Sequence, residues 1–247
     1  MKRFTFFKVI LSVLVFVFLS CNKVHDELHD VFDKNPGAEL FKPANRYSAD
    51  VVIKWLDLKY RIIQQPTQIL KPGFTDPYIN RYFAYVGIAL YESVVPGMPS
   101  YQSLSGQLSD MPQMPKPEKG KQYHWPASAN AALAFIHKGL LYSITAANKA
   151  SVDSLEGALN AQYGSEADAA TFQRSVAFGK EVAKRILEWS ETDNAFKVYP
   201  PYVPPTGPGL WVPTPPNFAA PTGAYRGDLR PLMPGVLNKV LPGPPPA

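Results

Sequence analysis

The chain has 247 residues, enough for one large domain or two small ones, and is 46% apolar but only 18% charged. Its formal charge of +5 includes Lys2, Arg3 and Lys8; without them 22 basic side chains face 20 acidic ones, about +2, which excludes a nucleic-acid footprint. Its 26 prolines are about twice ordinary usage, and fifteen of them follow residue 198, so a helix-like front gives way to a proline-laden end.

Lys2 and Arg3 precede the apolar run VILSVLVFVFL, which reads as a signal peptide over 1–20 and is too short for a comfortable membrane span. The sole cysteine, Cys21, stands where this run stops, in FLSC. The arrangement resembles the lipobox of bacterial lipoproteins, with Phe18 and Leu19 where that pattern prefers Leu and a small residue. The expectation is lipid attachment at Cys21 and anchorage to a bilayer of the bacterial cell envelope, at the outer membrane or facing the periplasm. A plain secretory peptide with a free thiol is the alternative.

Residues 21–46 read as a polar tether interrupted by Pro36 and Pro43. His25 and His29 are four apart, a spacing that could share a metal on a helix, but the zinc-protease pattern needs Glu directly after the first His. A solvated acidic lead behind the anchor accounts for them, and no metal site is assigned.

A helical bundle is predicted over 47–192. The first helix starts at Ser48 as N-cap, recurs apolar at Val51, Trp55, Leu58 and Ile62, and ends at Pro66. The second has Asp76 as N-cap and Pro77 at its first position, and runs to Pro96. It is apolar almost all round, which predicts the central buried helix. Its only charges, Arg81 and Glu92, are eleven apart and share a face; paired structural charges are the expectation. A loop over 96–124 is long enough to be functional or disordered. The third helix starts near Trp125-Pro126, with Leu133, Ile136, Leu140 and Ile144 on one stripe, and His137 reads as a core histidine rather than a ligand. The fourth covers about 149–163 on a Val152, Leu155, Leu159 seam, with Gly164 at C′. The fifth covers about 166–190, with Phe172, Val176, Gly179, Val182, Ile186 and Trp189, and Gly179 suits a close crossing. The fold class is therefore all-α, about five helices followed by a long Pro/aromatic-rich irregular segment.

That segment, 193–247, is unlike a disordered linker, which is poor in aromatics. Tyr199, Tyr202, Leu210, Trp211, Phe218, Tyr225 and Leu229 stand among its prolines. Restricted φ angles lower the entropy cost of packing it, so it should lie along a protein surface with its rings as anchors. Its length predicts a crossover to a second helical bundle that these residues do not contain; a recognition tail for a separate protein is the alternative.

RYFAYVGIALYESVVPGMPSYQSLSGQL, YHWPASANAALA and YPPYVPPTGPGLWVPTPPNFAAP together resemble the front half of lipoprotein members of the vanadium-dependent haloperoxidase and type 2 phosphatidic acid phosphatase superfamily. AYRGDLRPL is similar to a family segment with Tyr-Trp-Gly before an Arg, Arg226 replacing the Trp, and LPGPPPA is similar to the proline run before the catalytic bundle. The resemblance implies chemistry on an oxyanion, vanadate or a phosphoryl group, held by Lys, Arg, Ser and His side chains.

The signature behind that chemistry is not met. Arg230-Pro231 is present, but Gly223 stands seven positions earlier where Lys is needed. Ser105-Gly106 is present, but Leu104 and Gln107 replace the flanking Pro and His, and no histidine follows His137. No catalytic, metal or cofactor residue is carried over, and no cofactor is expected in this chain; vanadate or phosphate is expected only in a full-length parent. The reading is a non-catalytic front portion, cut off before its active site and inactive alone, whose partners are the bilayer and the absent bundle. The alternative is a surface glycan-binding or scaffold lipoprotein, with Trp55, Trp125 or Trp211 stacking on sugars. Arg226-Gly227-Asp228 spells an adhesion tripeptide that its family-like context explains.

Overall fold

A computed structural model of the chain describes residues 42–64, 79–141, 144–195, 197–221 and 223–236. The signal peptide, Cys21, His25, His29, Pro66, Asp76, Pro77 and LPGPPPA lie outside the described residues. Among those described are five α-helices: α1 (Asp50–Ile63), α2 (Ile79–Val94), α3 (Trp125–Leu140), α4 (Ala146–Glu166) and α5 (Ala169–Ser190). Short 3-10 turns occupy Ala44–Arg46, Val95–Gly97 and Arg226–Asp228, and no strand occurs among the described residues. The protein is all-α, and none of these helices is long and apolar enough to cross a membrane.

α1 buries the four residues its period predicts, Val51, Trp55, Leu58 and Ile62. Its N-cap is Ala49, one residue beyond the expected Ser48, whose hydroxyl still accepts a hydrogen bond from the Asp50 amide at 3.1 Å. α4 is longer than expected. Thr145 caps it by accepting from the Asn148 amide, and it runs through Gly164 to Glu166. Gly164 is thus inside the helix rather than at C′. The added turn is held by buried Tyr163 and by the Gln162 amide bonded to Glu166. α5 begins where Asp168 accepts from the Thr171 amide.

The central helix is α3 and not α2, which corrects the reading from apolar content. α3 buries 13 of its 16 residues and packs against each of the other four helices. Its run from Ala127 to Ala134 is mostly alanine, with Ser128 and Asn130, so neighbours close in from every side. At Gly179 of α5 an added Cβ would stand 2.0 Å from the Ser128 carbonyl oxygen, so the expected close crossing is real. α2 carries larger side chains but turns only part of its circumference inward: Tyr82, Tyr85, Val86, Ile88 and Ala89 are buried, while Phe83 and Gly87 are exposed.

The 96–124 loop is a packed element. Met111 and Met114 are buried, and Leu104 and Leu108 lean on the core. Glu92 accepts from the Leu104 amide at 2.6 Å and the Ser103 hydroxyl at 2.9 Å, and Arg185 donates to the Gln113 carbonyl. Burial raises the Glu92 pKa, and those two bonds oppose the rise.

Candidate functional site

The chain leaves the end of α5 through Asn194, whose φ of 67° is in the left-handed region that Asn tolerates better than most residues. This turn delivers Asp193 into the interior with no exposed surface. Its Oδ2 accepts from Arg81 Nε at 2.6 Å and from the Tyr85 hydroxyl at 2.6 Å, and its Oδ1 accepts from the Ala195 amide at 2.8 Å. Arg81 also donates from Nη2 to the Arg230 carbonyl at 2.6 Å, and the Arg230 amide donates to the Asp193 carbonyl at 3.1 Å. The Arg230 guanidinium lies over the Trp189 ring at 4.7 Å and donates to Thr192 Oγ1 at 2.6 Å and the Trp189 carbonyl at 2.8 Å.

Residues from α2 and from position 230 therefore meet around Asp193, whose carboxylate takes Arg81 and Tyr85 and whose carbonyl takes the Arg230 amide. The ribbon leaves the bundle at Asp193 and returns at Arg230, so this is a clasp. Burial first, and then the hydrogen bond to Asp193, push the Tyr85 phenol up to about 12. Beside the clasp the Leu232 carbonyl accepts from the Ser109 amide at 3.0 Å, which ties the returning chain to the long loop.

Arg81 thus has the structural ion-pair partner expected of it, whereas Glu92 is held by neutral donors rather than by a cation. His137 is a core histidine too. Its Nδ1 meets the Tyr82 hydroxyl at 2.7 Å and its ring stacks on Trp55 at 5.4 Å. Burial, and secondarily the Lys59 ammonium, depress its pKa to about 3, so it is neutral at ordinary pH.

Between its two clasped ends the ribbon is largely bare. Tyr199 and Tyr225 stack at 4.3 Å, and Tyr225 donates to the Pro200 carbonyl at 3.1 Å. Val203 is 83%, Trp211 48% and Phe218 62% exposed. These side chains do not anchor the ribbon to the bundle. Of the three tryptophans considered as sugar platforms, Trp55 and Trp125 are buried and Trp211 alone is open.

The partial matches to the oxyanion signature do not form a site. Arg230 commits Nη1 and Nη2 to the clasp, and its Nε is buried without a hydrogen-bond partner. Ser105 donates its hydroxyl to the Pro112 carbonyl, and Gln107 donates to the Ser103 carbonyl. Among the described residues no three His, Cys, Asp or Glu side chains converge. These residues do not fit vanadate or a transferring phosphoryl group.

A second feature is an apolar slot of about 470 Å³ between α1 and α2. The segment from Ala44 to Val52 lines one side, Gly87, Leu90 and Val94 the other, and Trp125 and Ala129 of α3 complete it.

Sequence reasoning missed Asp193, which stood there only as the start of the ribbon. No local pattern joins it to Arg81, 112 positions earlier. The one available signal was Arg81 itself, a cation on an apolar helix that needed an anion from elsewhere.

A search of solved structures finds this fold in the crystal structure of a bacterial vanadium-dependent iodoperoxidase, at 26% identity and a TM-score of 0.58. The match covers 80% of this chain and 45% of that one, so the chain spans less than half the length of the structure it matches. Scans against protein-family models and against curated proteins give no match. The fold is haloperoxidase-like, and the match supports the haloperoxidase superfamily.

Proposed function

We propose that this chain is the front, non-catalytic helical portion of a membrane-anchored haloperoxidase- or acid-phosphatase-like protein, held to the cell envelope through an acylated Cys21. Oxyanion chemistry belongs to a second helical bundle, and the exposed ribbon is the surface that meets it. One observation carries this reading: 80% of this chain has a counterpart in the iodoperoxidase, but more than half of that enzyme has none here. The engagement of both Arg230 Nη atoms with Thr192 and the Trp189 carbonyl is in keeping with it.

The purified 247-residue chain, supplied with vanadate, peroxide and iodide or bromide, is expected to give no halogenation. It is also expected to release no phosphate from a phenyl phosphate ester. Turnover in either assay refutes the proposal. Mass spectrometry of membrane extracts is expected to find Cys21 acylated, and an unmodified thiol refutes the anchor. Sequencing past codon 247 is expected to find the missing signature, in frame or shifted.

A further inference from the structure

His124 stands where the long loop becomes α3, and it is only 3% exposed. Its amide donates to Ser175 Oγ of α5 at 2.8 Å. Its ring lies edge-on to Tyr47 at 5.0 Å and tilted against Tyr163 of α4 at 5.2 Å. Nδ1 accepts from the Ala127 amide at 3.2 Å, as the N-cap of α3, and Nε2 meets Glu166 Oε2 at 3.1 Å. One residue thus ties the start of the central helix to the end of α4, to α5 and to the segment before α1.

The two ring bonds fix the tautomer. Nδ1 takes a hydrogen bond from an N–H, so it holds a lone pair, and the ring proton is on Nε2, where it is donated to the carboxylate. An imidazolium has an N–H at both positions. A proton on Nδ1 points straight at the Ala127 N–H, so proton uptake and the cap exclude each other. The Ala127 amide keeps a second acceptor, the His124 carbonyl at 3.0 Å. What the proton removes is the side chain's hold on the helix, not the helix itself.

The groups around the ring give a cation little help. Glu166 favours it, but that carboxylate is 41% exposed and is shared with the Gln162 amide. Asp50 of α1 reaches this cluster only as the last of three influences on Tyr163. Asp168 spends its carboxylate on the Thr171 amide, and the Arg174 guanidinium, bonded to the Gln122 carbonyl, opposes a second cation. Burial pushes the phenols of Tyr47 and Tyr163 up, so neither is charged near neutrality.

We propose that His124 is a proton-sensitive latch: neutral, it pins the first turn of α3 to α4, and a proton taken up on Nδ1 releases that turn. Tyr47, Trp125 and Pro126 line the apolar slot, so release loosens one end of it. The proposal is independent of whether a second bundle exists.

The test is hydrogen exchange of the full chain, read by mass spectrometry over residues 123–130 and corrected for the intrinsic pH dependence of exchange. An open-state histidine with the ordinary value of about 6.5, coupled to a closed state that refuses the proton, makes the opening constant rise about eightfold from pH 6 to pH 5. His124→Asn supplies a cap that does not titrate, and there the same step is expected to change the constant less than about twofold. Glu166→Gln keeps an acceptor for Nε2 and removes the anion, and is expected to increase opening at pH 5 further. Nitrogen-15 shifts of the wild-type ring at pH 7 are expected to show Nε2 protonated and Nδ1 bare. His137, on the same helix, is intact in both variants, so an acid response that survives His124→Asn overturns the proposal. So does a flat wild-type profile, a ring proton on Nδ1 at pH 7, or protection that rises as pH falls, the mark of a His124–Glu166 ion pair.

Discussion

Replacing Asp193 with alanine is the sharpest test of the clasp. In the folded protein this carboxylate has no solvent exposure, and its partner Arg81 is only 15% exposed. Truncation leaves Arg81 buried without its anion and deprives the Tyr85 hydroxyl and the Ala195 amide of their acceptor. Removing one member of a buried pair costs about 3–5 kcal/mol, and each orphaned neutral hydrogen bond adds about 1 kcal/mol. Allowing for partial rehydration of Arg81 at its exposed edge, a loss of about 4 kcal/mol is expected. Total stabilities are about 5–15 kcal/mol, so the variant should be folded but marginal.

Urea unfolding followed by far-ultraviolet circular dichroism measures that loss. Trypsin supplies the local readout, since freeing the ribbon should speed cleavage after Lys197 and Arg226 while the bundle persists. Arg81→Met combined with Asp193→Ala removes both charges and should be less destabilised than the sum of the two, by about 2 kcal/mol. A single-variant loss below about 1 kcal/mol, unchanged cleavage in the ribbon and strict additivity would together refute the clasp.

Acid should destabilise the protein through His137. Its folded pKa of about 3 lies below the usual 6.5, so its contribution is complete above pH 6.5 and is lost as pH falls toward 3, by an amount on the order of a few kcal/mol. A urea-midpoint profile should show that limb flattened in the double variant Tyr82→Phe, His137→Phe. Alkali should act through Tyr85 and Tyr163, both pushed up to about 12, chiefly by burial. Their contribution is complete below pH 10 and is lost as pH rises from 10 to 12, and Tyr85→Phe should remove only part of that limb. Gly179→Ala should lower the thermal midpoint despite a helix-propensity gain of about 1 kcal/mol, since overpacking against the Ser128 carbonyl costs about 1–3 kcal/mol or more. An unchanged or raised midpoint would mean that the α3–α5 crossing yields easily.

What the sequence could show followed from period. The burial of α1 was legible residue by residue, because Val51, Trp55, Leu58 and Ile62 repeat at the helical spacing and nothing competes with them. The α3–α5 crossing was legible because a glycine in mid-helix is costly and needs a reason. The central helix was misread because apolar content measures what a residue can bury, whereas centrality depends on how closely neighbours approach. Alanines on α3 admit more neighbours than tyrosines on α2. Gly164 misled in a related way: a glycine ends a helix only when nothing beyond it holds another turn, and Tyr163 and Glu166 do so here. The clasp was illegible because it joins residues 81, 193 and 230, whose only relation is tertiary.

The ribbon is held at its two ends and bare between them. A ribbon that merely completed a five-helix bundle would gain stability by turning Trp211 and Phe218 inward, and it does not. Its prolines already limit what the unfolded chain can do, so a loop closed at Asp193 and Arg230 and again by the Tyr199–Tyr225 stack keeps its course at modest entropic cost. Anchored ends with exposed rings between them are what the proposed contact with a second bundle requires.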